Sequence, residues 1–284
     1  MIMNYFEPPT KFLNIRISDT HLNPSLTAAC VDYEPGVWRE KQFAEHLVEW
    51  LPEFCLKYTE VKGLGAHNAL RLLRKAASSV YTTKKFENRG EIGEIILHAI
   101  IRHEFNTIPL ISKIYYKDSS NDTVKGFDCV HVVESNDSFE LWLGEAKFYS
   151  NFNDAARDVV KEIKLHIESD YLRSEFMAIC NKTDDNHPVT QKVIELLDKS
   201  TSLDIIFKKI VIPVLITYES SAVSNHNSIT ESFESALKLE VENNYKHFVQ
   251  KIGNINIIIH LIMVPLYQKN ILIKAFDEEL GRLR

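Results

Sequence analysis

Cysteine is scarce in this sequence. The 284 residues include four cysteines, and no two of them form a CxxC pair. Zinc ribbons and disulfide frameworks need paired or clustered cysteines, so neither is indicated. Scattered thiols are typical of reduced cysteines in a cytosolic protein, and we therefore expect a cytoplasmic location.

Long hydrophobic runs are also missing. The longest apolar stretch, INIIIHLIMVPL, carries a histidine and has about 12 residues, whereas a bilayer-spanning helix needs about 20. The first residues, MIMNYFEPPTKF, have no basic segment followed by an apolar run, so no signal peptide is predicted. We expect no membrane association.

Positive charge is not in excess. The net charge is −6, and the 45% hydrophobic and 25% charged residues are an ordinary globular balance. This total does not favour a nucleic-acid binder, but a local patch can matter more. Residues 57–89 hold eight Lys or Arg against two Glu. Such a patch would grip phosphates without sequence preference; the alternative is a solvated helix followed by a basic linker.

The sequence pattern predicts a domain boundary near residues 82–90. We predict an N-terminal α+β accessory region over 1–85 and a second domain over 86–284. The first region reads as two strands, KFLNIRI and TAACVDY, then helices over 36–54 and 67–81, because apolar residues recur three or four apart.

The second region alternates helices with apolar strands. The predicted helices are 90–105, 154–169 with Asn153 as N-cap, 189–199, 229–250 and 268–282; the predicted strands are 109–117, 125–133, 139–149, 209–218 and 254–266. Continuous apolar strands between helices predict an α/β fold with a mixed central sheet flanked by helices. Pro213 would place its strand at an edge or a bulge.

The segment FELWLGEAKF (139–148) carries two charges in an apolar run. Because strand side chains alternate between faces, Glu145 and Lys147 share a face, about 6–7 Å apart. If the strand pairs with KGFDCVHVV through the turn ESNDS, Asp128 lies opposite positions 144–146. Two carboxylates and one ammonium would then meet at one end of a hairpin.

This constellation suits metal-assisted phosphodiester hydrolysis. Mg²⁺, or Mn²⁺ in its place, takes hard oxygen ligands and keeps waters and substrate phosphates. Asp128 and Glu145 would hold the metal, and Lys147 would orient water or stabilise charge developing on the phosphate. Taken alone, the Glu-x-Lys pair would more often be a surface ion pair on a half-exposed strand.

The spacing of these residues resembles the PD-(D/E)xK nuclease signature. Gly126-Phe127-Asp128 is followed by sixteen residues and then by Glu145-Ala146-Lys147; Phe127 replaces the usual proline. The resemblance implies a restriction-endonuclease-like core with a further acid on the preceding helix, where RGEIGE supplies Glu91 and Glu94. Glu91 borders the apolar stripe of that helix, while the spacing from Arg-Gly favours Glu94; both remain candidates, with Glu94 preferred as a metal ligand.

RGEIGE, SNDTVKGFD and LWLGEAKFY together resemble the HamA nuclease family of Hachiman anti-phage defence. The resemblance implies a metal-dependent DNA nuclease that works with a superfamily-2 helicase, HamB. It covers residues 85–170 well. The alternative is a catalytically inactive nuclease-fold module that recruits DNA or a partner protein.

Several basic residues are candidate phosphate contacts. Arg157, Lys161 and Lys164 lie along one side of the predicted helix after the third strand, and Arg157 and Lys161 are the preferred pair, together with Lys84 and Lys85 of the basic patch. The alternative interpretation of Arg157 is an ordinary exposed helix residue. His98, His103 and His131 lack the spacing of a shared metal site and are interpreted as structural.

Overall fold

The computed structural model describes residues 7–81, 89–112, 126–134 and 139–283. Within these ranges seven strands form one sheet: β1 (Asn14–Asp19), β2 (Ser25–Cys30), β3 (Ile108–Ser112), β4 (Cys129–Glu134), β5 (Phe139–Phe148), β6 (Ile210–Glu219) and β7 (Ile258–Leu266). Twelve helices are described: α1 (Glu40–Glu49), α2 (Leu51–Cys55), α3 (Tyr58–Lys62), α4 (Ala69–Tyr81), α5 (Gly90–Phe105), α6 (Phe152–His166), α7 (Ser169–Lys182), α8 (Thr190–Leu196), α9 (Leu203–Phe207), α10 (Ser221–Ser224), α11 (Glu231–Ile252) and α12 (Lys269–Arg282).

The sheet order is β1-β2-β7-β6-β5-β4-β3. Strands β2, β7, β6 and β5 are parallel to one another, whereas β1 is antiparallel to β2, β4 to β5, and β3 to β4. The predicted mixed α/β sheet flanked by helices is confirmed. Strands β1 and β2 of the N-terminal region extend this same sheet through β7, and the predicted boundary at residue 85 lies outside the described residues.

Several predicted boundaries need correction. The single helix expected over 36–54 is two helices, α1 and α2, because the chain breaks at Trp50 and Pro52 stands in the first turn of α2. Helix α6 starts earlier than predicted: its N-cap is Asn151, not Asn153, and the Asn151 side chain accepts the Asp154 N–H at 3.1 Å. The described helices also include α7, which was not predicted.

Pro213 lies in the central strand, β6, and not at an edge. The β5–β6 register continues across it without a shift, from Trp142 opposite Val211 to Glu145 opposite Val214. A parallel strand sends alternate N–H groups to its two neighbours, so one proline removes only one hydrogen bond from one side. The prediction of an edge or bulge was therefore wrong.

Helices α5 and α6 cover opposite faces of β5. On the α5 side, a Cβ added to Gly93 would lie 2.9 Å from the Phe148 Cβ, so glycine permits the close approach of helix and strand. On the α6 side lie Glu145 and Lys147, which contact residues of that helix. No helix in the described ranges combines the length and the apolar character needed to cross a bilayer.

Candidate active site

The β4–β5 hairpin brings the predicted acids together. Cys129 pairs with Gly144 at one end of the ladder, and Asp128 is the residue directly before Cys129. The Asp128 N–H donates to the Gly144 carbonyl at 2.9 Å, and the Ala146 N–H donates to Asp128 Oδ2 at 2.8 Å. Because this second bond ties the carboxylate to the backbone of the Glu-x-Lys segment, Asp128 is fixed at the end of the hairpin.

An open cleft of about 680 Å³ lies at this end of the hairpin. Glu94 enters it from α5, Asp128 from the start of β4, and Lys147 from the end of β5. Arg157 of α6 and Lys269 of α12 also line it. With Asp154 of α6, the cleft combines three carboxylates with three cationic side chains, drawn from five different parts of the chain.

Glu145 is not among the described residues that line the cleft. Its side chain is 1% exposed. Its Oε1 lies 2.7 Å from His166 Nδ1, and its Oε2 lies 3.9 Å from Lys147 Nζ. Glu145 thus stands behind the lysine and contacts helix α6.

Lys147 is surrounded by carboxylates. Its ammonium is paired with Glu162 of α6 and lies near Glu145. Burial by itself lowers the pKa of Lys147, but the negative charges of Glu145, Asp128 and Glu162 outweigh it, so the pKa is raised. The side chain consequently stays cationic at neutral pH.

Glu91 and Glu94 have different surroundings. Arg89 is fully buried, and its guanidinium pairs with Glu91 at 2.9 Å and with Asp277 of α12 at 2.5 Å. Glu91 is therefore engaged by a buried arginine. Glu94, one turn further along α5, is the glutamate that lines the cleft.

The donor set suits a hard cation held in part by solvent. Among the described residues no three His, Cys, Asp or Glu side chains converge closely enough to hold a metal ion, so Asp128, Glu145 and Glu94 do not form a closed cage here. Mg²⁺ commonly takes only one or two carboxylates and fills its octahedron with waters and phosphates. Asp128 and Glu94 in an open cleft fit that pattern.

The family comparison agrees with the resemblance in the motifs. The family model of HamA matches residues 9–280. The chain belongs to the HamA family. No curated protein matches it. Membership of the HamA family fits a role in Hachiman anti-phage defence.

The candidate phosphate contacts of this HamA-family chain are unequally placed. Arg157 lines the cleft and its side chain is 62% exposed, with ion pairs to Asp154 at 2.8 Å and Asp158 at 2.9 Å. Lys161 is exposed on the outer side of α6, in a neighbouring groove. Lys84 and Lys85 lie outside the described residues.

Two other groups of residues have structural surroundings. His98 of the HamA-family fold contacts His131 through Nδ1 and Nε2 at 3.1 Å, and its Nε2 lies 3.3 Å from Glu53 of α2. This buried contact joins α2, α5 and β4. Arg89, counted above in the basic patch, is buried and ion-paired, so it is not available to phosphate.

Sequence reasoning missed three residues of the HamA-family site. Glu162 and His166 contact Lys147 and Glu145 from α6, and Lys269 lines the cleft from α12. For His166 a signal was present: it continues the buried stripe of α6, where apolar residues recur at helical spacing. No local sequence pattern marked Lys269, because only the order of the strands in the sheet brings α12 to the cleft.

Proposed function

We propose that this HamA-family protein is a Mg²⁺-dependent deoxyribonuclease that hydrolyses phosphodiester bonds and acts with a HamB-type helicase in anti-phage defence. The observation that carries the proposal is the convergence of Glu94, Asp128 and Lys147 in one open cleft. Family membership supports the defence role, and the motif resemblance supports the choice of DNA and of a helicase partner.

Each side chain has a defined task in this proposal. Asp128 and Glu94 would hold Mg²⁺, which supplies Lewis-acid polarisation of the phosphate and a more acidic water. Lys147, cationic because its pKa is raised by the neighbouring carboxylates, stabilises negative charge on the phosphate oxygens. Glu145 holds Lys147 from the buried side.

Substrate binding would use the cations at the rim of the same cleft. Arg157 and Lys269 line it together with the acids. Contacts to phosphates give affinity without base preference, and they fix the position of the backbone relative to the reacting atoms. DNA lying across the cleft would therefore place a phosphate close to Lys147.

An inactive nuclease-fold module is the alternative. The feature that favours it is Phe127 in place of the motif proline. Phe127 is buried, and its ring contacts His166 edge-on at 4.9 Å between ring centres. This packing lies on the α6 side of the hairpin and leaves Asp128 in the cleft.

A cleavage assay tests the proposal. The purified chain, alone and with its helicase, is incubated with single- and double-stranded DNA and Mg²⁺, with EDTA as the metal-free arm. Lys147→Ala and Asp128→Asn should each lower the cleavage rate by about 100-fold or more. Lys238→Ala, a substitution of an exposed lysine on α11, is the matched control and should cut normally.

Two results would contradict the proposal. One is unchanged cleavage by folded Lys147→Ala or Asp128→Asn protein. The other is no cleavage by the wild-type chain, even with the helicase, while the same variants keep full anti-phage protection in cells. That second pattern would support the inactive module.

A further inference from the structure

His166 has no assigned role in the proposed chemistry, yet it contacts the site. It is the last residue of α6, its side chain is 8% exposed, and its Nδ1 lies 2.7 Å from Glu145 Oε1. The contact is close but does not have hydrogen-bond geometry. A neutral imidazole can donate to this carboxylate only through an N–H at Nδ1.

The spacing of α6 matches that of the Glu-x-Lys segment. Glu162 and His166 are four residues apart on the helix, about 6 Å along its axis. Glu145 and Lys147 are two residues apart on β5, about 6.6 Å along the strand. One turn of α6 therefore contacts both charged residues of the motif, Glu162 at Lys147 and His166 at Glu145.

Two aromatic rings fix the orientation of the imidazole. Tyr171 of α7 stacks on His166, with ring centres 4.5 Å apart and planes at 13°. Phe127 meets the same ring edge-on, with planes at 67°. A ring held by aromatic contacts in two different orientations has little freedom to turn, so Nδ1 stays close to Glu145 Oε1.

We propose that His166 is a positioning residue that holds the Glu145 carboxylate in the orientation needed beside Lys147. This inference rests on the proposed nuclease function. It also gives a role to Phe127, the residue that departs from the nuclease motif. Phe127, in the place of the usual proline, packs against the ring that holds the glutamate. The side chain acts through Glu145 and touches neither substrate nor metal.

Two substitutions separate positioning from packing. His166→Asn keeps an N–H donor near the place of Nδ1, whereas His166→Leu fills similar volume without a donor. Leu165→Ala, at an exposed neighbour on α6, is the control. With Mg²⁺ and DNA, His166→Leu should lower kcat by about 10- to 100-fold, as loss of an outer-shell hydrogen bond commonly does. KM for DNA should stay within about twofold, because His166 lies away from the phosphate-binding rim.

The decisive comparison is rescue by asparagine. His166→Asn should recover kcat to within about threefold of wild type, whereas a purely packing role would be better served by leucine. Crystal structures of the metal-free proteins provide a second readout. Glu145 should keep its wild-type rotamer in His166→Asn and leave it in His166→Leu.

The outcomes distinguish this inference from the proposed function. If the wild-type chain cuts no DNA, the nuclease proposal fails, and the rotamer of Glu145 in the two crystal structures still decides whether His166 positions it. If Glu145 is unmoved in His166→Leu, or leucine retains more activity than asparagine, the positioning role is refuted. Equal thermal stability of both variants and the control would show that unfolding is not the cause.

Discussion

Gly93→Ala should push α5, and with it Glu94, away from the candidate site. A Cβ at Gly93 would lie 2.9 Å from the Phe148 Cβ, 3.4 Å from the Phe148 N and 3.6 Å from its Cα. Two of these atoms belong to the β5 backbone, so rotation of a side chain cannot relieve the clash. Carbon atoms prefer to lie at least about 3.5 Å apart, so helix and strand must separate by roughly 0.6 Å.

Two opposing terms set the magnitude for stability. Replacing a helical glycine with alanine gains up to about 1 kcal/mol from the lower entropy of the unfolded chain. Forcing a methyl group into a close-packed interface costs about 1–3 kcal/mol. We expect Gly93→Ala to be neutral or to destabilise the protein by up to about 2 kcal/mol. The cleavage rate should fall roughly tenfold, because sub-ångström displacement of Glu94 disturbs the site.

Gly281→Ala is the matched control. Gly281 lies near the end of α12, and an added Cβ there would meet no atom within 4 Å. We expect this substitution to stabilise the protein by at most about 1 kcal/mol and to leave cleavage unchanged. Urea denaturation, monitored by circular dichroism, gives the free energy of unfolding of both variants. Equal stabilisation by the two substitutions, with normal cleavage, would refute the close contact between α5 and β5.

Three further predictions concern charge. Arg157→Ala should leave the urea midpoint unchanged, weaken DNA binding, and reduce the dependence of log K on log salt by about 1, measured by fluorescence anisotropy; an unchanged salt slope would exclude a phosphate contact. Arg89→Met should destabilise the fold by about 3 kcal/mol in urea denaturation, because it removes the buried cation that pairs with both Glu91 and Asp277; a neutral effect would contradict a structural ion pair. Burial lowers the pKa of His46 to about 4, and Trp50 donates to its Nε2 at 3.0 Å. As the pH falls, His46 therefore takes up a proton in the unfolded chain before it does so in the folded protein. The free energy of unfolding should fall by up to about 3 kcal/mol as the pH is lowered from 6.5 to 4. His46→Gln should reduce this dependence on pH, and an unchanged dependence would refute the role of His46.

The sequence was most informative where the signal was local. Helix α5 was predicted with its observed bounds, since its ends are marked by RGE and by the loss of periodicity after Phe105. The hairpin register followed from the position of the turn ESNDS, and the observed pairing, from Glu134 opposite Phe139 to Cys129 opposite Gly144, lies within the predicted range. Alternation along β5 placed Glu145 and Lys147 on one face, because a strand has only two faces.

Errors arose where the outcome depended on a neighbouring strand. Pro213 was expected at an edge, but β6 lies at the centre of the sheet with β7 and β5 on either side. The sequence shows that proline lacks an N–H, but it does not show whether that N–H would face an acceptor on the neighbouring strand. Sheet order is set by burial of both faces across residues far apart in the chain.

By itself, the sequence determined which acids and which lysine share a hairpin, because the period of a strand and the length of a turn are local properties. Only the tertiary structure separated Glu91 from Glu94, since the buried Arg89 that engages Glu91 also pairs with Asp277 of α12, far along the chain. It also brought His166 against Glu145 and Lys269 into the cleft. These contacts join residues distant along the chain, and the energy that selects them is the burial of side chains shared by several elements.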